Sequence, residues 1–101
     1  LKSVDDTNFM EDTPLRTVCR RGDLEPVKIL VEVGSNVNAI GDIGCTPLFD
    51  AIGGKSPEVI EYLISSGADP KYQNDRKWTP LSYAISTDAP DEIIAILKKH
   101  Q

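Results

Sequence analysis

Thr-Pro-Leu stands at Thr13-Pro14-Leu15, again at Thr46-Pro47-Leu48 and a third time at Thr79-Pro80-Leu81, and the two intervals are equal. A fixed period of roughly 20 to 50 residues marks a chain built of stacked repeats. The register reaches beyond the tripeptide. Gly34 stands as far after Thr13 as Gly67 does after Thr46. Leu30, Leu63 and Ile96 follow the three threonines at one common distance, and Val18, Ala51 and Ala84 at another. The copies align without insertion or deletion, which chance recurrence of one tripeptide would not produce.

Each copy has the same parts. Proline suits the first helical turn, where its missing N–H has no partner, and the preceding Thr can cap that turn. Thr13, Thr46 and Thr79 are therefore expected to open helices running to about Arg21, Ile52 and Ser86. Turn residues follow, and a second helix is expected from near Leu24, Pro57 and Pro90. In the middle copy Ser56 is the expected N-cap, Glu58 favours the first turn, and Ile60, Leu63 and Ile64 form one apolar stripe. Gly67 ends that helix at the left-handed position glycine tolerates best. The chain then turns polar, as in the stretch from Ser35 to Gly44, which reads as an extended finger leading to the next Thr-Pro-Leu. A helical pair and a finger are too small to bury their own apolar face, so neighbouring copies must stack.

With these parts in place the chain resembles the ankyrin-repeat family. The most specific run is in the central copy: Gly44-Cys45-Thr46-Pro47-Leu48, Pro57-Glu58-Val59-Ile60, Leu63-Ile64 and Gly67-Ala68-Asp69. The resemblance implies an all-α solenoid of stacked helix-turn-helix pairs with β-turn fingers. It divides the chain into an N-terminal finger and cap at 1–12 and repeats at 13–45, 46–78 and 79–101, the last truncated. The family usually has His directly after Thr-Pro-Leu, with its ring linked to neighbouring turns. Arg16, Phe49 and Ser82 stand there instead, so that hydrogen bond is expected to be missing. The finger-turn glycine survives as Gly44 and becomes Lys77 in the third copy, where the backbone must be unusual or the turn reshaped. Pro26 is acceptable only near the start of its helix. Cys19 aligns with Ile52 and Ile85, all three expected to point between helices, while Ile94 aligns with Glu61 and is expected to face outward.

Length allows one small domain. No apolar run approaches the length of a bilayer crossing, so no membrane-spanning helix is expected. A net charge of −5 argues against nucleic acid, whose phosphates call for a basic face, and is compatible with a basic protein partner. Cys19 and Cys45 are expected to be too far apart to pair, and two reduced thiols favour a cytoplasmic setting.

Catalytic material is sparse. The only histidine, His100, is the penultimate residue, and two cysteines at unrelated positions do not make a zinc site. Gly53-Gly54-Lys55-Ser56 lies between two helices and lacks the earlier glycine and the strand of a phosphate loop. The expectation is a protein without catalysis or cofactor.

A binding reading has more to work with. In the family the partner usually meets the finger tips and the inner faces of the first helices. Carried over, the candidate partner-binding residues are Met10, Asp42, Ile43, Arg76 and Trp78 from the fingers, with Arg20, Arg21, Phe49 and Tyr83 from the first helices. Trp, Tyr and Arg are enriched at binding hot spots. Trp78, the only tryptophan, stands where the other copies have Asp12 and Cys45. A repeated structural role would call for the same residue type in each copy, which favours partner contact. The other reading has Trp78 packing locally on Tyr83 or Phe49. The expected function is a protein–protein interaction module, monomeric apart from its partner. The alternative is an immunity protein of bacterial type that neutralises a toxin by binding it.

Overall fold

The computed structural model describes residues 13–41 and 44–100. The expected finger and cap at 1–12, and with them Met10, lie outside the described residues, as do Asp42 and Ile43.

Among the described residues six helices follow in three pairs: α1 (Pro14–Arg21) with α2 (Leu24–Glu32), α3 (Pro47–Gly54) with α4 (Pro57–Ser65), and α5 (Pro80–Ser86) with α6 (Asp91–Lys99). Each first helix begins at the proline of Thr-Pro-Leu. Thr13 Oγ1 accepts from the Arg16 amide at 3.2 Å. At α5 the cap is reciprocal: the Ser82 amide donates to Thr79 Oγ1 at 3.1 Å and the Thr79 amide to Ser82 Oγ at 2.8 Å. Thr46 makes no side-chain cap bond. Its helix lies in the middle of the stack, where Thr46, Pro47 and Leu48 are all buried and packing holds the turn.

The second helices start where loop chemistry directs. Ser56 Oγ accepts from the Val59 amide at 3.4 Å, capping α4. Pro26 is the third residue of α2, within the first turn, where an N–H would have no intrahelical partner. Past α2 and α4 the chain swings through Gly34 and Gly67, both at φ 106. The Ser35 and Ala68 amides donate back to Leu30 and Leu63 carbonyls at 2.9 Å, closing matching C-terminal turns. Helix α3 runs past the expected Ile52 to Gly54, because Lys55 takes the left-handed cap at φ 57 and its amide bonds the Ile52 carbonyl.

Helices α1, α3 and α5 pack side by side in one row, and α2, α4 and α6 in a second. Between the rows lies a continuous core that includes Leu15, Cys19, Leu48, Ile52, Ile60, Leu63, Ile93 and Leu97. Cys19 and Ile52 are buried as expected, but Ile85, their equivalent, is 56% exposed. The reason is positional: α5 is the last helix of its row among the described residues, so nothing lies over the side that α3 and α5 cover in the earlier copies. Ile94 also departs from expectation. It is half-buried against the core, whereas Glu61, at the same place in α4, keeps its carboxylate in water.

Candidate protein-binding site

The fingers are closed by two backbone bonds that recur in register from one copy to the next. In the first, the Gly41 amide donates to the Cys45 carbonyl at 2.9 Å and the Gly44 amide to the Gly41 carbonyl at 3.0 Å. In the second, the Asn74 amide donates to the Trp78 carbonyl at 3.0 Å and the Lys77 amide to the Asn74 carbonyl at 2.9 Å. Gly44 has φ 72 and Lys77 has φ 64, so the turn keeps its shape and Lys77 accepts the unusual backbone.

What holds Lys77 there is Asn74. Its Oδ1 accepts from the Arg76 amide at 2.9 Å and the Trp78 amide at 3.0 Å, tying together both ends of the turn. Its Nδ2 donates to Cys45 Sγ at 3.6 Å, tying this finger to the one before. The carboxyl of Asp75 lies directly against Gly44, so close that a Cβ there would collide with it. Asn74 is buried, and the Arg76 and Trp78 backbones are thereby fixed on a firm support.

Trp78, half-buried, leaves the finger beside α5, which presents Tyr83 and Ser86 on one face at helical spacing. Cys45, Asn74, Arg76, Trp78, Tyr83 and Ser86 line a pocket of about 280 Å³. Three of the expected contact residues, Arg76, Trp78 and Tyr83, are thus brought together. Asn74 and Ser86 are additions from the structure. Asn74 does carry a signal in the sequence, since an Asn opening a turn can bond the backbone two positions on.

Other expected contacts are placed differently. Phe49 is 2% exposed and meets Tyr83 edge-on, with ring centres 5.6 Å apart and planes at 68°. It supports Tyr83 from below and offers little to a partner. Of the α1 arginines, Arg16 is buried and its Nε donates to Asp50 Oδ2 at 2.5 Å. Arg20 Nη1 reaches Asp50 Oδ1 at 3.4 Å with its side chain 44% exposed, and Arg21 is exposed at the helix end. The arginines therefore do not form one surface cluster, because a buried carboxylate claims the first of them.

Cys19 and Cys45 are both free thiols. Burial pushes the Cys19 thiol up to about 12, the nearby Asp50 carboxylate adding to the effect and Arg20 opposing it. It is chemically quiet. Among the described residues no His, Cys, Asp and Glu group could hold a metal ion, and no helix is long and apolar enough to cross a membrane.

Two rows of short helices, with hairpin fingers at a constant step along the chain, define a solenoid of helical pairs. The family model described as ankyrin repeats in three copies matches residues 1–74, and the chain belongs to the ankyrin-repeat family. It is 37% identical over 97 residues to BRCA1-associated RING domain protein 1 of Caenorhabditis elegans, covering 93% of this chain and 14% of that protein. It is 33% identical over 101 residues to the ANK repeat-containing protein nipk-1 of the same organism, covering 89% of this chain and 16% of that one. It is also 43% identical over 54 residues to protein phosphatase 1 regulatory subunit 27 of Homo sapiens, covering 54% and 35%. The chain thus spans only a minor part of each of these relatives. Ankyrin repeats are in general protein–protein interaction modules and typically non-catalytic. The names of these relatives lend no support to the toxin-neutralising alternative.

Proposed function

We propose that this chain is a non-catalytic module that holds a partner protein on its fingers and first-helix row, with Trp78, Arg76 and Tyr83 as the anchor. The observation that carries this reading is the pocket in which those three side chains meet. Small-molecule sites are usually clefts of about 300–1,000 Å³. At about 280 Å³ this pocket falls just below that range and suits one or two side chains of a partner. Its rings and guanidinium belong to the residue types that dominate interface energetics. Two of the relatives are named for association with, or regulation of, another protein, which is the same mode of action. The module acts as a monomer apart from its partner.

The test is affinity capture from the source cell with the wild-type chain and Trp78→Ala in parallel, read by mass spectrometry. A protein recovered in stoichiometric amount by the wild type and lost with Trp78→Ala supports the proposal. Equal recovery by both would remove the pocket from the interface.

A further inference from the structure

The net charge of −5 describes the whole chain and not this pocket. On the second-helix row the described acids are Glu25 and Glu32 on α2, Glu58 and Glu61 on α4, and Asp91 and Glu92 on α6, every one of them exposed. The first-helix row differs. Helix α5 has no charged residue, α3 has only Asp50, and that carboxylate is buried against Arg16 and Arg20. The pocket residues include one ionised side chain, Arg76, and no carboxylate. The neighbouring acid, Asp75, has its carboxyl set against Gly44 of the preceding finger. Arg76 is exposed, makes no ion pair among the described residues, and is followed by Lys77, also exposed.

From this charge segregation, and resting on the proposed function, we infer that the pocket takes an acidic segment of the partner. A partner carboxylate sits on the Arg76 guanidinium, and an adjacent aromatic or large aliphatic side chain lies between Trp78 and Tyr83. Three features lead to this choice. A guanidinium matches a carboxylate with two parallel N–H donors, a geometry that an ammonium or an amide does not offer. Pocket walls of two aromatic rings lower the local dielectric and strengthen that pairing. A basic partner side chain would meet Arg76 with no carboxylate in the pocket to balance it, a repulsion that costs specificity. Apart from the buried Asp50, the acids carried by the described helices lie in the other row, and the partner charge inferred from composition is therefore reversed at this site.

The probe is a random peptide library displayed on phage, panned on the wild-type chain and counter-panned on Trp78→Ala. The expected peptides carry Asp or Glu next to an aromatic or large aliphatic residue. Binding of the best such peptide is then titrated through the fluorescence of Trp78, the only tryptophan. Arg76→Glu should weaken it by about tenfold or more, and exchanging the peptide acid for Lys should restore binding to Arg76→Glu. Arg76 is exposed and makes no ion pair among the described residues, so an unchanged thermal melt of the variant separates loss of contact from loss of structure. Enriched peptides that are basic or neutral, or a single-stranded oligonucleotide that competes with them, would overturn the acidic assignment while leaving the pocket as the binding site. If no peptide depends on Trp78, this inference and the proposed function fall together.

Discussion

Arg16 on α1 and Asp50 on α3 form a buried ion pair between successive copies, and Phe49 on α3 meets Tyr83 on α5 across the same step along the chain. The residue after Thr-Pro-Leu in one copy thus touches the second residue after it in the next. One interface fills that relation with opposite charges, the other with crossed aromatic rings. Where the family usually has a histidine, this chain has two different means of fastening one pair to the next.

Removing Asp50 takes away the buried carboxylate that faces both Arg16 and Arg20. Asp50→Ala should therefore cost about 3 kcal/mol or more in urea unfolding, because Arg16 is 4% exposed and cannot reach water cheaply. Replacing both at once, Arg16→Met with Asp50→Leu, should recover most of that loss. A cost for Asp50→Ala below about 1 kcal/mol would mean that the pair does not bind α1 to α3.

Cys19 and Cys45 should differ sharply toward thiol reagents. One thiol per native chain should react quickly and two after unfolding, since Cys19 is fully buried and Cys45 only half. The buried thiol also makes stability depend on pH. In the unfolded chain it ionises near its ordinary value of 9.0, and in the native protein near 12. Its contribution is therefore complete below pH 9 and is lost as pH rises toward 12, by at most about 1.4 kcal/mol per unit. The stability difference between wild type and Cys19→Ala, measured from about pH 8 to about pH 11, should shrink over that window. A constant difference would contradict burial of the thiol.

Ile52 and Ile85 test the stacking directly. Ile52→Ala should cost about 2–5 kcal/mol and Ile85→Ala less than about 0.5 kcal/mol, although the two stand at the same place in their copies. Equal costs would show that something covers Ile85.

Among the described residues, three turns hold non-glycine residues at positive φ: Lys55 at 57, Lys77 at 64 and Asp88 at 59. Lys55→Gly and Lys77→Gly should each stabilise by up to about 1 kcal/mol, the relief of left-handed strain outweighing the added freedom of the unfolded chain. Gly22, equivalent to Lys55 and Asp88, allows no such exchange. It has φ 73 and a Cβ there would lie 2.7 Å from the Gly54 carbonyl oxygen. Gly22→Ala should destabilise measurably in the same thermal melts.

Much of the fold is legible in the sequence because helix starts are set locally. Thr-Pro-Leu places the first helices, Ser56 caps α4, and the glycines at 34 and 67 end the second helices. What escapes depends on neighbours. Ile85 looks like Ile52 in the alignment and differs in having no further helix on it among the described residues. Arg16 looks like a surface charge until Asp50 is set against it from the next copy. The pocket is half legible: Trp78, Arg76 and Tyr83 stand out as unlike residues at equivalent positions. Asn74 is legible as a turn-opening residue, but its bond to Cys45 of the preceding finger shows only in the structure.

The most direct test of the binding reading is calorimetric titration of the captured partner into wild type and Trp78→Ala, with thermal melts of both chains run alongside. The expected result is a loss of about 2 kcal/mol or more in binding, roughly thirtyfold in affinity, with stability lowered by no more than about 1 kcal/mol. Unchanged affinity together with a large fall in the melting temperature would contradict it, and would make Trp78 a packing residue of the finger.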